Sequence, residues 1–406
     1  MKIFFPTDFE SIQKRMHSFD PIHYGDSRNY IDGGVSALSP YISRGFLSTK
    51  QVFLFVLSLN LKPYKVTKFV QELAWRDYFQ QVWKHKKEEL EKELKQSQLN
   101  VRHYQIPKAI LKDSVSTGIS GIDRELIDFY ENGYLHNHVR MYLSSIICNV
   151  GGAHWKMPSE WMYYYLLDAD YASNTCSWQW VAGAFSSKKY IANQENLNRY
   201  LKTQDQNTYL DKSYEDILRF ESLPKELQPL VDWDKSLAFQ TTKDWFYEKK
   251  RNYDNSKLGS PFFDSSHAPS FDMNSPTLIY DFYNLDPQWH RGETANRIFL
   301  LRPSFYEKYP TSPKTLDFIY NLSKNIPDIQ FFWGEWNELW NYLSKLNGKA
   351  YWKEHPTNTN FVGIEEQRDW MFPQVNGYFP SFFTYWKKCE KYWERSNMSQ
   401  PSLFDE

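Results

Sequence analysis

Apolar and polar positions recur with two different periods along the chain, and the change of period divides the chain into two parts. Between residues 40 and 205 apolar side chains recur at helical spacing. In the stretch Val66 to Lys95 they lie amid charged residues, and Glu88 and Lys92 form a pair four residues apart that favours a helix. This stretch is therefore predicted to be one long helix. Three further helices are predicted for Gly121 to Tyr130, Tyr134 to Asn149 and Pro158 to Leu167.

The second part begins after residues 250–276, a segment rich in Ser, Asp, Asn, Pro and Gly, as linkers are. Beyond it, strand-like and helical stretches alternate, which predicts a parallel sheet with right-handed crossovers. The predicted strands are Thr277 to Leu285, Ile329 to Trp333 and Lys349 to Trp352, and the predicted helices are Thr315 to Lys324 and Asn337 to Leu346.

Together these patterns predict a mainly α domain followed by a smaller C-terminal α/β domain with a parallel sheet. The aromatic segment Phe361 to Trp393 is expected to pack back on one of the two domains. We place the helical domain at residues 1–250, the linker at 251–276, the α/β domain at 277–395 and a frayed tail at 396–406.

The composition is that of a folded protein. Hydrophobic residues make up 41% and charged residues 24% of the 406 positions, which suffices for a sizeable core. No apolar run reaches the roughly 18 residues of a membrane-spanning helix, and the start of the chain lacks the pattern of a signal peptide. Cys148, Cys176 and Cys389 are scattered, which excludes a disulfide framework and a zinc ribbon. We therefore expect an unprocessed cytoplasmic protein that does not enter a membrane.

Charge and aromatic content leave room for a polyanionic or planar ligand. The first 200 residues carry 24 Lys and Arg against 20 Asp and Glu, a mild excess compatible with nucleic acid, although the net charge of the whole chain is −1. Aromatic residues make up 18% of the chain, which favours a bound planar group, and an aromatic-rich core without a ligand is the alternative. The sequence contains no G-x-G-x-x-G, no P-loop and no G-x-S-x-G motif. His136 and His138 are spaced two apart, which is wrong for a metal-binding helix face.

Several polar and aromatic side chains share helix faces in the first part. Glu72, Trp75 and Arg76 fall at i, i+3 and i+4, so one face presents a carboxylate, an indole and a guanidinium. Asn137 and Met141 are four residues apart and also share a face. Ordinary core packing is the commoner role of a single Trp or Met, but their combination with a carboxylate favours a binding site.

Four blocks occur in the order and spacing of the flavin-binding domain of the photolyase/cryptochrome family, and over residues 20–205 the sequence resembles that domain. The resemblance implies an all-helical domain that holds FAD in a bent, U-shaped form. The four blocks are Val35 to Tyr41, Glu72 to Tyr78, Leu135 to Met141, and Asp168 to Asn174 followed by Trp178 to Trp180.

For the cofactor, the resemblance implies contacts to both ends of FAD. The hydroxyl groups of Ser36 and Ser39 suit a pyrophosphate, although a plain N-capping turn has the same sequence. Asn174 corresponds to the residue that faces the flavin N5 atom, where an uncharged amide tunes the redox state. The implied cofactor-binding residues are Tyr24, Val35, Ser36, Ala37, Leu38, Ser39, Arg140, Asp168, Ala169, Asp170 and Asn174.

For the substrate, the resemblance is to the subgroup that repairs cyclobutane pyrimidine dimers in DNA. A flipped dinucleotide needs flat apolar walls and a few hydrogen-bond donors for its carbonyl edges. Two indoles and a thioether would form the walls, and a protonated carboxyl group and an amide would be the donors. The implied pocket residues are Glu72, Trp75, Asn137, Met141 and Trp180, and the implied DNA-backbone contacts are Arg28, Arg76 and His138.

Family members carry electrons to the flavin through three tryptophans. Trp178 and Trp155 match the proximal and middle members of this relay. The third position falls in Asn100 to Gln105, which contains no Trp, and Tyr104 is the redox-active residue there. A tyrosine terminus, or another aromatic such as Trp161, would replace the missing tryptophan.

The sequence also departs from the family pattern. Family members carry an α/β antenna domain before the flavin domain, whereas here the flavin domain is expected to start almost at Met1. The α/β region after the linker resembles that antenna domain moved to the C-terminus, although any small α/β module has the same period. Val35 and Tyr134 replace an expected hydroxyl residue and an expected Trp, and cysteine ligands for an iron–sulfur cluster are missing.

The resemblance implies a light-driven, FAD-dependent DNA lyase, with UV-damaged DNA as partner and a monomer as the working unit. A second, light-harvesting chromophore is expected only as an option, because nothing in the sequence fixes its identity. Two alternatives remain at this point: a cryptochrome-like blue-light photoreceptor without repair activity, and a flavin-free helical scaffold that has kept the motif shapes.

Overall fold

Helices make up most of the described chain up to residue 254. The computed structural model describes residues 3–254, 260–267 and 269–398. In this first part the helices are α1 (Phe9–His17), α2 (Pro21–Ser27), α3 (Ser39–Ser43), α4 (Thr49–Ser58), α5 (Pro63–Lys86), α6 (Ser120–Asn132), α7 (Asn137–Ser145), α8 (Lys156–Tyr165), α9 (Tyr171–Ala182), α10 (Gln194–Leu201), α11 (Tyr214–Leu218) and α12 (Lys235–Asp254).

The long helix α5 begins at Pro63, a residue whose fixed φ suits the first helical position. It ends at Lys86 and not at the predicted Lys95, because Lys87 adopts a φ of 47° and the chain continues as a 3₁₀ turn, Lys87–Glu91. This turn buries Leu90 in the core, where a continued helix would have carried the chain away from it.

Helix α7 also differs from the prediction at both ends. It begins at Asn137, after an N-cap at His136, and the predicted continuation to Asn149 is a π-helical turn over Ile146–Val150. Helix α9 begins where its N-cap Asp170 accepts a hydrogen bond of 2.7 Å from the Ser173 backbone N–H, as N-caps do. These caps fix the first turns of two helices that carry seven of the predicted site residues.

The second part is built on a six-stranded sheet in which every neighbouring pair is parallel, as the alternation of strands and helices predicts. Its strand order is β3-β6-β5-β4-β7-β8. A separate antiparallel pair joins β1 (Ile106–Pro107) to β2 (Leu230–Val231). The strands of the sheet are β3 (Phe262–Asp264), β4 (Thr277–Tyr280), β5 (Asn296–Leu301), β6 (Gln330–Trp333), β7 (Ala350–Lys353) and β8 (Ile364–Glu366), and the helices are α13 (Pro303–Lys308), α14 (Pro313–Ser323), α15 (Trp336–Leu343) and α16 (Phe382–Met398).

The predicted linker, residues 251–276, is not simply a connection. Helix α12 extends into it, and β3 lies within it and pairs with β6 at the edge of the sheet. A three-residue strand is too short to show a period of two in the sequence. Residues 255–259 and 268 of the predicted linker, and residues 399–406 of the predicted tail, lie outside the described residues.

The helical part and one face of the sheet share a hydrophobic core. Leu278, Tyr280 and Phe299 point from the sheet into the same buried cluster as the side chains of α5 and α9. The opposite face, with Ile279 and Phe332, packs in a smaller cluster with α15. Helix α16 packs on α5, so the C-terminal aromatic segment folds back on the helical part, as expected. The two parts are therefore stabilised by common contacts.

The loop after β4 enters the helical part and ties the two parts together. The Leu285 backbone N–H donates a hydrogen bond of 2.8 Å to the Arg44 carbonyl oxygen. The Arg44 guanidinium is fully buried and lies 3.6 Å from the centroid of the Phe282 ring. Deeper in, the hydroxyl groups of Tyr283 and Tyr163 lie 3.1 Å apart. The junction therefore combines stacking, hydrogen bonding and a buried charge.

Two findings concern the chain as a whole. Over the described residues, no helix is both long enough and apolar enough to cross a membrane. Cys148, Cys176 and Cys389 are buried and unbonded, in agreement with the absence of a disulfide framework expected from their spacing.

Gly45→Ala tests the junction, because Gly45 has a φ of 60° and a Cβ atom there would collide with the Tyr283 carbonyl oxygen. We expect a loss of at least about 2 kcal/mol of unfolding free energy, since a left-handed conformation alone costs an L-residue roughly 1–2 kcal/mol. Urea unfolding followed by circular dichroism measures the loss. Gly292→Ala is the matched control, because nothing lies within 4 Å of its Cβ position. Equal stability of the two variants would contradict the close approach at Gly45.

Candidate functional site

Ten of the predicted site residues lie on three neighbouring helices, α5, α7 and α9. Helix α9 packs against both α5 and α7, and α3 is hydrogen-bonded to the segment that precedes α9. The three helices thus bring together residues that are up to 110 positions apart in the chain.

The inner end of this arrangement is a buried ion pair. One guanidinium nitrogen of Arg140, Nη2, donates to both carboxylate oxygens of Asp168, at 3.0 and 2.9 Å. The Arg140 Nε–H donates to the Leu135 carbonyl oxygen at 2.7 Å, which fixes the plane of the guanidinium. The Asp168 residue is 5% exposed. A pair held in this way presents charge and hydrogen-bonding groups at a defined position inside the protein.

Two residues, Arg140 and Ser39, keep Asp168 ionised despite its burial. Burial by itself raises the pKa of this carboxyl group, but the Arg140 charge and hydrogen bonds from Ser39 and Arg140 outweigh burial, so the pKa lies below its ordinary value. The Ser43 hydroxyl donates to the Asp168 carbonyl oxygen at 2.9 Å. Helix α3, which carries both serines, is thereby fixed to the start of α9.

The segment before α3 has an unusual backbone. Ala37 adopts a φ of 51°, a value that residues other than glycine rarely adopt, and Leu38 follows in the right-handed helical region. Left- and right-handed residues in succession turn neighbouring N–H groups to one side, an arrangement that binds anions. The Ser36 hydroxyl oxygen accepts from the Leu38 N–H at 3.3 Å, so its own proton is free to donate. This geometry suits the predicted phosphate contact better than a plain N-cap does.

Two tyrosines lie near charged residues of the site, Tyr134 beside Arg140 and Tyr24 near Glu72. The Arg140 guanidinium carbon is 5.6 Å from the centroid of the Tyr134 ring. Burial raises the pKa of Tyr134 to about 12, so its hydroxyl group keeps its proton at neutral pH. The pKa of Tyr24 is raised as well, by burial and by the nearby Glu72. Both rings are therefore uncharged hydrogen-bonding surfaces within the site.

Glu72 and Arg28 stand at the outer rim. Their Oε1 and Nε atoms are 3.9 Å apart. Protein atoms around the Glu72 carboxyl group raise its pKa, while Arg28 and Lys68 act in the opposite direction. The Glu72 side chain still keeps 43% of its surface accessible. Glu72 is thus a carboxyl group with a raised pKa that remains accessible to a ligand.

The rim continues along α7 to α9. The Asn137 amide lies 3.9 Å from the Met141 sulfur, so these two predicted pocket residues meet one turn apart. His138 contacts the Asn29 carbonyl oxygen at 2.9 Å. The Tyr190 hydroxyl group lies 3.5 Å from His138, and its ring centroid lies 6.1 Å from that of Trp180. Tyr190 is thus a rim residue that sequence reasoning missed, because it lies in no motif block.

The Trp75 indole has an unexpected neighbour. It stacks on Phe382 from α16, with ring centroids 3.8 Å apart and planes 9° apart. Trp180, the other predicted wall, is 39% exposed, while Trp75 is partly buried. One of the two walls therefore depends on a residue far along the chain.

Two predicted site residues point elsewhere. The Asn174 amide donates to the Ser159 carbonyl oxygen at 2.9 Å and lines a cleft between α8 and α9, together with Tyr171 and Tyr309. The Arg76 guanidinium does not stand on the rim beside Arg28, since its Nη1 donates to the Ser43 hydroxyl at 2.6 Å. The spacing of residues in the sequence predicts on which face of a helix a side chain lies. The rotamer of that side chain depends on the residues that pack around it.

A line of aromatic rings runs from the core to the surface. Trp155 and Trp178 are buried, with 1% and 2% of their surface exposed. His154 lies beside Trp155, with centroids 5.5 Å apart, and stacks on Tyr104 at 5.1 Å. Tyr104 is 67% exposed. The structure thus brings Tyr104 next to Trp155 through His154, a residue the sequence did not single out.

A polar cleft lies where the strand order of the sheet reverses, at the carboxyl ends of β4 and β7. Asp281 and Asn284 line it from one side, His355 and Arg368 from the other, and Asp170 from α9. Side-chain atoms of Asn284, His355 and Arg368 are buried there without a hydrogen-bond partner. Open parallel sheets bind ligands at such a crevice. A signal for it exists in the sequence, since polar residues directly follow two apolar strands.

Parts of this chain are similar in sequence to known flavin-binding and DNA repair proteins. Residues 69–226 match the model of the FAD binding domain of DNA photolyase. A deoxyribodipyrimidine photo-lyase of Alkalihalophilus pseudofirmus is 29% identical over 151 residues, which are 37% of this chain and 31% of that protein. A cryptochrome DASH of Gloeobacter violaceus is 27% identical over 171 residues, which are 39% of this chain and 33% of that protein.

A solved structure of a Synechocystis cryptochrome is similar at 22% identity and a TM-score of 0.44, covering 49% of this chain and 44% of that one. In sequence, this chain spans about a third of the length of the two relatives described above.

Arg140→Met tests the buried pair. It leaves the Asp168 carboxylate without its partner, and breaking a buried pair in this way costs about 3–5 kcal/mol of unfolding free energy. Urea unfolding of the flavin-free protein measures the cost. The double variant Arg140→Met/Asp168→Asn removes the uncompensated charge and is expected to regain part of the loss. A single variant within about 1 kcal/mol of the parent would show that the pair is not important for stability.

His136 is expected to make the stability of the folded protein depend on pH. It caps α7, its Nδ1 accepts from the His138 N–H at 3.2 Å, and burial lowers its pKa to about 4. The unfolded chain therefore takes up a proton at higher pH than the folded one. Stability from this residue is present above pH 6.5 and is lost as the pH falls towards 4, by up to about 1.4 kcal/mol per pH unit.

His136→Asn, which keeps a capping side chain and cannot titrate, is expected to flatten this slope. Urea unfolding at pH 7.0, 6.0 and 5.0 measures it in both proteins. Parallel pH profiles would contradict the assignment.

Proposed function

We propose that this chain is a light-driven DNA repair enzyme that splits cyclobutane pyrimidine dimers, and the match of residues 69–226 to the FAD binding domain of DNA photolyase supports this proposal. The observation that carries the proposal is the pairing of two features. A buried, oriented Arg140–Asp168 pair lies inside, and an accessible rim with Glu72, Asn137 and Trp180 lies outside.

The residues of the inner site fit FAD by their chemistry. The hydroxyl groups of Ser36 and Ser39 and the turned backbone at Ala37 suit a pyrophosphate. The Arg140–Asp168 pair offers a donor and an acceptor to a polar ring edge. The buried Ser173 hydroxyl on α9 has no partner within the described structure. We assign the remaining contacts to Tyr24, Val35, Leu38, Ala169, Asp170 and Asn174.

When bound, FAD supplies light-driven one-electron chemistry. Glu72 in its protonated form would donate to a dimer carbonyl, and its raised pKa supports that role. Asn137 would donate beside it. Trp75, Trp180 and Met141 would exclude water and stack on the flipped bases. Asn174 would orient its amide towards the flavin N5 atom after leaving the Ser159 carbonyl oxygen.

DNA and electrons would reach the site from different sides. Arg28 and His138 stand on the rim, where phosphate groups of the duplex would pass, and such contacts make binding salt-dependent. Trp178 and Trp155 are suited by their burial to pass an electron inwards, with Tyr104 as the exposed terminus. Arg76 would have to turn away from Ser43 to reach DNA.

We further propose the two-domain layout of residues 1–250 and 277–395, with the α/β part as a relocated antenna domain. The strand order of the sheet supports this, and its crevice is the expected place of a second chromophore if one is bound. UV-damaged DNA is the proposed partner, and a cytoplasmic monomer the proposed form.

A photoreceptor without repair activity is the alternative function. Phe382 supports it, because this residue already covers one face of the Trp75 wall. The similarity to a cryptochrome DASH is compatible with either function.

One experiment separates the two functions. The full chain is loaded with FAD, reduced, and illuminated in blue light with an oligonucleotide that carries one thymine dimer. The proposal requires restored thymines and a protein that keeps its flavin absorbance. If the flavin-loaded protein repairs no dimers, the photoreceptor function remains. If the protein cannot take up flavin, both proposed functions fail.

Glu72→Ala tests the catalytic role of the carboxyl group. We expect the initial repair rate to fall by about tenfold, which corresponds to the loss of one hydrogen bond of about 1.4 kcal/mol, while bound flavin stays unchanged. Glu10→Ala, an exposed carboxylate on α1, is the matched control. An unchanged rate in the Glu72 variant would remove this residue from the mechanism.

A further inference from the structure

The closest stacked ring pair among the described residues joins the predicted lesion site to the C-terminal helix. The ring centroids of Trp75 and Phe382 are 3.8 Å apart and their planes differ by 9°. The residues are 307 positions apart in the chain, and Phe382 lies in none of the motif blocks. The face-to-face contact means that one side of the Trp75 indole is occupied by the protein itself.

Phe382 cannot easily move away from this contact. It is 2% exposed, and its ring contacts those of Tyr78 and Trp386, with the Trp386 ring nearly parallel to it. Its neighbour Phe383, in contrast, is 69% exposed. The side chain of Phe382 is therefore a fixed surface in the core, and the indole rests on it.

The segment before α16 is fastened along α5, the helix that carries Trp75. The Arg368 Nη1 donates to the Gln80 side-chain oxygen at 2.7 Å. The Met371 backbone N–H donates to the Asp77 carboxylate at 2.9 Å. These bonds, with one from the Tyr78 hydroxyl to the Phe379 carbonyl oxygen at 3.3 Å, set the position of α16 relative to Trp75.

A fixed indole plane matters for a site that recognises flat rings. An exposed tryptophan samples several rotamers, and a ligand that stacks on it must first select one. A ring held from behind has already lost that freedom, so more of the stacking free energy appears as affinity. The stack of Phe382 on Trp75 is therefore expected to strengthen ligand binding in addition to stabilising the core.

We propose that Phe382 is a positioning residue of the lesion site: it fixes the plane of Trp75 and leaves the opposite indole face for a pyrimidine ring of the flipped dimer. The inference rests on the proposed function. It also makes the site a joint product of the two parts of the chain, because the fold of residues 1–250 does not supply this contact.

Three variants of the FAD-loaded full chain test the inference. Phe382→Leu removes the stack, Phe382→Tyr conserves it, and Phe372→Leu is the matched control. Phe372 is a buried aromatic in the same C-terminal segment, but it packs on Phe53 in α4. Binding to matched duplexes with and without one thymine dimer is measured at fixed salt.

We expect Phe382→Leu to weaken binding of the dimer duplex by about threefold to tenfold, the range of an aromatic pair, and to leave binding of the undamaged duplex unchanged. Phe382→Tyr should bind both duplexes as the parent does. Phe372→Leu should lose stability but keep the parent's ratio of the two affinities.

A second measurement needs no DNA. In protein labelled with 5-fluorotryptophan, the ¹⁹F resonance of Trp75 is assigned through Trp75→Phe. It is expected to shift or broaden in Phe382→Leu and to stay in place in Phe372→Leu.

The outcomes separate the inference from the proposed function. If the parent binds both duplexes alike, the proposed function fails and the inference fails with it. If the parent prefers the dimer and Phe382→Leu keeps that preference while Trp75→Ala abolishes it, only the inference is overturned. Tighter dimer binding by Phe382→Leu would overturn it too, since Phe382 would then be a cover that the lesion has to displace.

Discussion

The site depends on one buried ion pair. Taking the Asp168 carboxylate out of water is costly, and the Arg140 guanidinium offsets that cost only because it is held in one plane by the Leu135 carbonyl oxygen. The serines of α3 complete the arrangement from a third direction. Helix α7, the segment before α9 and helix α3 are thus fixed by the same few bonds, and rim residues on α7 and α9 are positioned by these elements.

The two parts of the chain stabilise one another and are not independent. The sheet contributes one of its faces to the core of the helices, and the loop after β4 reaches as far as Arg44. On the other side, the C-terminal segment runs along α5 and ends with α16 behind Trp75. A change in the α/β part can therefore reach the predicted lesion site through packed side chains, without any direct contact to DNA.

Charged groups are arranged differently in the interior and at the rim of the predicted site. Inside, charged groups are paired and oriented, as at Asp168, or lie in the crevice of the sheet, where the Asn284 amide and the Nε and Nη2 atoms of Arg368 lack hydrogen-bond partners among the described residues. At the rim, Glu72 stays accessible and its pKa is raised, which suits hydrogen-bond donation. The many aromatic residues lie in two places. Most rings fill the core that the two parts share, and Trp75 and Trp180 are the predicted walls of the site.

The sequence by itself determined the helical part and the parallel sheet, and it supplied the set of candidate site residues. Helical spacing places Glu72 and Trp75 on one face, and the motif blocks single out Arg140 and Asp168, because both signals are local or repeat a known order. Only the tertiary structure decided that Asn174 turns to α8 and that Phe382 stacks on Trp75. The rotamer of Asn174 and the contact between Trp75 and Phe382 depend on how helices pack against one another. The periodicity of apolar residues in the sequence does not specify that packing.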